Sequence, residues 1–261
     1  VVSSTFSDDL PVSTNSFQPT LKGLQDGCII KMDNQLSTII WASYIGGDKD
    51  DAAYSLQIDS DDNLYVTGGT VSDNFPTTPL AFNTSYNDSL NADAFVSKID
   101  KDGLSILSST FFGSEKYDQS YFIEMNKSNQ IYILGQTKAD STLLTFNSNY
   151  YIENGGQFIA VFDNGLQNLL RSTMIGSGKG SPDISPTAFL VDKCNNIYFS
   201  GWGSNLGGNL STLNLPITNN AFQNTTDGND FYLAVLNEFL DSLEYATYFG
   251  GSQSTEHVDG G

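Results

Sequence analysis

Acidic and amide side chains with regular spacing are where this sequence first suggests chemistry. In Asp59-Ser60-Asp61-Asp62-Asn63 oxygen-bearing side chains alternate, a spacing that calcium loops use because alternate side chains converge on one hard cation. Positions one period on carry Asn126, Ser128 and Gln130, then Asp192, Cys194 and Asn196, so the ligand set is not repeated and a tight Asx turn is expected. Asp48, Asp50 and Asp51 are the one other place where calcium would gather ligands; no other cofactor and no metal site are expected. Asp51, Asp118, Asp183 and Asp259 each precede a third strand, where a carboxylate accepts backbone N–H bonds at a turn. An acid/base pair for catalysis would show as one copy breaking that pattern; none stands out, and no catalytic residue is assigned. Ser177-Gly178-Lys179-Gly180-Ser181 resembles a phosphate loop only superficially, because Gly180 follows the lysine and a strand, not a helix, comes next. His257 is the single histidine, which leaves no zinc cluster and no Ser/His/Asp order. Within 201–209, Trp202, Asn205 and Asn209 replace plainer residues of the other copies. They are the candidate ligand or partner contacts: the tryptophan either stacks on a sugar or aromatic partner or covers the edge of its own sheet. Trp41 falls on a strand position and is expected to pack.

These residues need strands to hold them. The chain has 261 residues, 30 acidic against 11 basic, for a net charge of −19. Such a polyanion repels phosphate backbones and anionic lipid, which excludes nucleic acid and acidic membrane as partners. Charged residues are 16% of the chain, below the ~25% usual for globular proteins, whereas Gly, Tyr and Phe are plentiful, a composition of strands and turns. No apolar run approaches the ~18 residues that span a bilayer, and Val1-Val2-Ser3-Ser4 does not read as a signal peptide. Cys28 and Cys194 fall in different repeats and are expected as a buried thiol and a turn thiol, not a disulfide.

Internal repeats organise the chain. Phe followed by an amide recurs at Phe17-Gln18, Phe82-Asn83, Phe146-Asn147 and Phe222-Gln223, at spacings of 65, 64 and 76 residues. Pro11, Pro76 and Pro216 lie six residues earlier in three copies, with Asp140 in the other. Tyr44-Ile45-Gly46, Phe111-Phe112-Gly113, Met174-Ile175-Gly176 and Tyr248-Phe249-Gly250 form a second series; Tyr65, Tyr132 and Tyr198, each three residues before a glycine, form a third. Within a period, short apolar stretches at 94–99, 104–112, 120–125 and 131–135 are separated by hairpin-type turns such as Asp100-Lys101-Asp102-Gly103. Each period is therefore expected to be a four-stranded antiparallel meander. The longer proline and Phe-amide segment would cross between sheets, its phenylalanine plugging an apolar gap. Sheets that cannot bury both faces alone stack on their neighbours, and four-stranded units repeated about an axis make a β-propeller. The expected fold is all-β: about four blade equivalents at 1–68, 69–135, 136–201 and 202–261, an arc of a larger propeller with both ends cut in mid-blade.

Asn91 to Asp100 with Ser109-Thr110-Phe111-Phe112-Gly113, Trp41 to Gly47, Asp59 to Gly68, and Asp73-Asn74-Phe75-Pro76 resemble the bacterial SBBP β-propeller repeat. Ile197 to Gly203 and Glu256 to Gly261 are similar to large exported proteins of Bacteroidetes. That resemblance implies export through the type IX secretion system, an extracellular or cell-surface location, and kinship with gliding-motility proteins. The functional expectation is a non-enzymatic scaffold whose loops recognise partners: other domains of the same large protein, secretion or cell-surface proteins, or glycans, with no membrane insertion. The alternatives are a polysaccharide-active propeller enzyme using paired carboxylates and a calcium-dependent carbohydrate-binding module.

Overall fold

A computed structural model describes residues 1–86, 91–204, 209–252 and Glu256. The described residues contain no helix. Three strands, β1 (Val2–Thr5), β2 (Asp26–Met32) and β3 (Ile39–Ile45), make the first sheet. Four-stranded sheets follow: β4 (Asp51–Ile58), β5 (Leu64–Thr70), β6 (Asp93–Ile99) and β7 (Ile106–Phe112); then β8 (Asp118–Met125), β9 (Ile131–Thr137), β10 (Gln157–Phe162) and β11 (Leu169–Ile175); then β12 (Ser185–Val191), β13 (Ile197–Trp202), β14 (Phe231–Leu236) and β15 (Leu243–Phe249). Strand order within every sheet is sequential, and the ladders of the first, second and last sheets are antiparallel. These open meanders are β-propeller blades. The chain forms two compact units, Val1–Ile123 with Phe162–Asn168, and Glu124–Val161 with Leu169–Gly261.

The period is as expected, but its phase is not. The strands at 94–99 and 104–112 were expected to pair onward with 120–125; instead β6 pairs back onto β5, Leu64 opposite Ile99 and Thr70 opposite Asp93. Blade divisions at 68, 135 and 201 therefore cut through the observed sheets. The physical reason is burial: all seven residues of β5 are buried, which demands a neighbour on each edge and suits an interior strand. The proline and Phe-amide segment, 71–92, does not cross between sheets. It leaves β5 and returns to β6 at one rung of the ladder, an excursion closed at its base. The passage to the next sheet is the short corner at 113–117.

A second expectation also gives way. The phenylalanine of the Phe-amide mark is not a buried plug: Phe82 is 42% exposed and Phe222 79%. The residue before the proline fills the gap instead. Phe75, 3% exposed, lies 4.3 Å from the Phe95 ring and 6.0 Å from that of Phe111, within an apolar cluster that includes Ile29, Trp41, Ile45 and Val66. Leu215 and Ala139 are buried at the same place in their copies. Tyrosines tie these segments down, Tyr44 donating to the Ser7 carbonyl and Tyr248 to that of Leu215, each at 2.8 Å.

In the first two copies the Phe-amide mark makes a backbone contact with a neighbouring hairpin; Phe146 N–H instead donates to the Ser172 carbonyl at 3.0 Å, and Tyr150 takes the hairpin contact in its place. The N–H of Phe17 donates to the Gly103 carbonyl at 3.0 Å, and that of Phe82 to the Leu166 carbonyl at 2.9 Å, both at the tip of the following β-hairpin. In the other unit Tyr150 N–H reaches the Leu240 carbonyl at 3.1 Å. Gly103 has φ +70°, and a Cβ there would stand 2.5 Å from the indole of Trp41, so only glycine suits this tip.

Candidate functional site

The corner that follows the last strand of a sheet gathers carboxylates. Asp26 opens β2 and Asp51 opens β4, and a Cβ on Gly46 would lie 2.7 Å from an Asp26 oxygen and 2.8 Å from one of Asp51. Asp26 accepts from Lys22 N–H (2.9 Å), Gly23 N–H (3.0 Å) and Gln18 Nε2 (2.8 Å). The other end of the Gln18 amide accepts Gly46 N–H at 3.0 Å. Asp51 accepts Gly47 N–H at 2.7 Å and Ser72 Oγ at 2.9 Å. Gly113 sits likewise between Asp93 and Asp118, and Gly250 between Asp230 and Glu256. Burial pushes the Asp51 carboxyl up to about 6, against the opposing hydrogen bonds of Thr70, Gly47 and Ser72, with the neighbouring Asp26 charge adding to the rise. Burial also raises Asp26 and Asp230.

The turn role expected of Asp51, Asp118 and Asp183 appears at three corners, where these acids stand at or just before the first strand of the next sheet and not at a third strand: Asp118 accepts Ser114 N–H (2.6 Å) and Asp183 accepts Ser177 N–H (2.9 Å) as Asp51 does Gly47 N–H. Asp259 lies outside the described residues. Sequence reasoning missed the partner acid at the start of β2 and β6 and just before β14; its signal was an aspartate at Asp26, Asp93 and Asp230 in register with the repeat.

Asp59 forms the expected Asx turn, its Oδ1 accepting Asp61 N–H at 3.0 Å and Asn63 N–H at 2.9 Å. Its Oδ2 meets Lys98 Nζ at 2.9 Å. Asp48 and Asp50 are exposed while Asp51 turns inward. Among the described residues no three acidic, histidine or cysteine groups come together as a metal cage. The Ser177–Ser181 loop is a sheet corner, with Lys179 Nζ 3.3 Å from Asp183 and 3.2 Å from the Asn209 carbonyl oxygen. Trp202 ends β13 opposite Ser185 and Phe231, partly buried. Asn209 is exposed, and Asn205 and His257 lie outside the described residues. Cys28 is buried, Cys194 exposed, and both are free.

Two recesses stand out, and in both the repeat supplies its own reference. On the second sheet, the ring of Phe162 covers Phe82 and Phe112 edge-on, with centroids at 5.8 and 5.7 Å. Phe222 and Phe249 hold the corresponding places on the last sheet, 6.3 Å apart, with Phe249 55% exposed. With Phe231, Leu233 and Tyr245 they line an open apolar hollow of about 700 Å3. Here Phe222 N–H turns to the hydroxyl of Tyr245 in its own sheet, at 3.3 Å, instead of a hairpin carbonyl. The second recess, about 500 Å3, lies beside Lys98 and Ser108.

Residues 40–76 match the SBBP β-propeller repeat family. Among solved structures, the chain is similar to a protein of unknown function from Bacteroides caccae, at 11% identity over 86% of this chain and 75% of that one, with a TM-score of 0.36. No curated protein matches the chain. The matched segment runs from β3 through β5 and the Phe75 plug, the part of the period that recurs in the other sheets, and the chain thus carries a β-propeller repeat of the SBBP type.

Proposed function

We propose that this chain is a non-enzymatic interaction module of a secreted or cell-surface bacterial protein, exported by the type IX route of Bacteroidetes. The observation that carries the reading is the apolar face of Phe222, Phe231, Leu233 and Phe249, which stands open among the described residues. Its counterpart on the second sheet is closed by Phe162 and by the Leu166 hairpin tip. The occupant is therefore a hairpin equivalent to β10–β11, with an apolar residue at the place of Phe162 and a tip carbonyl for Phe222 N–H. It comes from another domain of the same large protein. Exposed apolar patches rimmed by polar residues mark such contacts. Burial of the corner carboxylates, and their recurrence from sheet to sheet, supports a structural use over hydrolysis of polysaccharide, which needs one accessible pair.

The chain can serve as its own probe, because β2–β3 is a hairpin of this type with Leu36 exposed near its tip. Sedimentation of the wild type at ~100 µM, the range of weak protein pairs, should show head-to-tail association, and Phe249→Asp should remove it. A wild type that stays monomeric, or association unchanged by Phe249→Asp, would overturn the assignment of this face.

A further inference from the structure

We propose that the recess at Ser108 receives the indole side chain of a tryptophan on a partner polypeptide. Five residues before each corner glycine stand Trp41, Ser108, Arg171 and Tyr245. Register confirms the equivalence, since Lys31 pairs with Trp41 as Lys98 does with Ser108. In the first of these places the indole is buried, lies on Gly103, and donates Nε1–H to the Lys101 carbonyl at 3.0 Å. Arg171, in the third, reaches the carbonyl of Glu238 and lies over the Phe239 ring. Only the second place has a small side chain, and there the molecule leaves a recess of about 500 Å3, inside the ~300–1,000 Å3 range of ligand sites.

The walls suit a flat ring with one donor. Pro79, Leu80 and Leu107 give an apolar side. Ser108 Oγ donates to the Gly165 carbonyl, and Tyr65 hydroxyl to that of Asn164 at 2.7 Å; each carbonyl keeps a second lone pair for an incoming N–H. Lys98 lines the recess with its ammonium held by Asp59 and set 4.9 Å from the Tyr65 ring centre, placed for a cation–π contact with a guest ring. Because Lys98 and Asp59 neutralise each other, the recess offers little to an anion or a cation and favours a neutral guest.

The test is calorimetric titration of the whole chain with N-acetyl-L-tryptophanamide, N-acetyl-L-phenylalaninamide and glucose. The tryptophan amide should saturate with a dissociation constant on the order of 1 mM, and the phenylalanine amide, which has no ring N–H, should bind severalfold more weakly. Ser108→Trp rebuilds the Trp41 arrangement and should weaken binding at least ~tenfold while the chain stays folded by circular dichroism. Leu80→Asp, at an exposed wall residue, decides the matter if Ser108→Trp does not fold, and Phe249→Asp should leave binding unchanged. No saturation by ~20 mM, equal binding in Ser108→Trp and Leu80→Asp, or saturation by glucose in place of the tryptophan amide would each overturn the proposal.

Discussion

Asp51 should make this protein less stable as the solution moves from mildly acidic to neutral, the reverse of ordinary acid denaturation. Its carboxyl is buried, 1% exposed, and its pKa is raised from 3.8 to about 6, mainly by burial. The folded state therefore binds the proton more tightly than the unfolded chain, and between about pH 4 and 6 it carries more protons. Stability then falls as pH rises through that window, by about 3 kcal/mol at 1.36 kcal/mol per pH unit. Asp26 and Asp230 move in the same direction. Carboxylates of the opposite kind act elsewhere on the scale. For Asp59 burial alone would raise the pKa, but the hydrogen bonds of Lys98 and Asn63 outweigh it and lower the value. Its stabilisation is complete above pH 4 and is lost only as pH falls further, so the two effects separate. The assay is urea unfolding followed by tryptophan fluorescence at pH 4, 5, 6 and 7, comparing wild type with Asp51→Asn. The wild type should lose several kcal/mol between pH 4 and 7, and Asp51→Asn should recover about 3 kcal/mol of that slope. Identical slopes in the two proteins, or a wild type that gains stability towards neutrality, would refute the reasoning.

Other substitutions test the packing described above. Lys98→Met leaves Asp59 largely buried without its cation and should cost about 3 kcal/mol in urea unfolding, most of it restored by Asp59→Asn. Gly103→Ala meets both a positive φ and the Trp41 ring, so it should cost about 2–4 kcal/mol. In a Trp41→Ala background the steric part disappears and only about 1 kcal/mol should remain, which a double-mutant cycle measures. Phe249→Asp, on an exposed position, should reduce the binding of a hydrophobic dye with a change in unfolding free energy of no more than about 0.5 kcal/mol.

The period was legible from the residues, most securely from the corner glycines, whereas the Phe-amide mark slips in the third copy, where Tyr150 and not Phe146 makes the hairpin contact. Trp41 and the Asx turn at Asp59 also read correctly, since a large aromatic on a strand and an aspartate before Asn63 each have a local cause. Grouping of strands into sheets was not legible. A long connection between β5 and β6 resembles a crossover in one dimension, and only the pairing of Leu64–Thr70 with Asp93–Ile99 shows that it is not. Phe75 and Phe82 differ by nothing in local pattern that marks one as buried and the other as exposed; the difference lies in which ring meets Phe95. The acid pairs were half legible: Asp51, Asp118 and Asp183 recur visibly, but their partners Asp26 and Asp93 become neighbours only once Gly46 and Gly113 bring two strand ends together. The Ser108 recess has a sequence signal, a small residue where the other copies place tryptophan, arginine and tyrosine, and it becomes readable once the strand register is known.

The excursions that leave and rejoin a sheet at a single rung, Thr5 opposite Asp26, Thr70 opposite Asp93 and Trp202 opposite Phe231, uncouple loop length from strand alignment. Residues gained or lost within 6–25, 71–92 or 203–230 do not shift any side chain from one sheet face to the other. The unequal sizes of these three segments, the last the longest, show that freedom already in use. Evolution, or an engineer grafting a new epitope, can rewrite the exposed parts of those stretches, leaving Gln18, Phe75 and Leu215 in place, while the ladder beneath keeps its alignment.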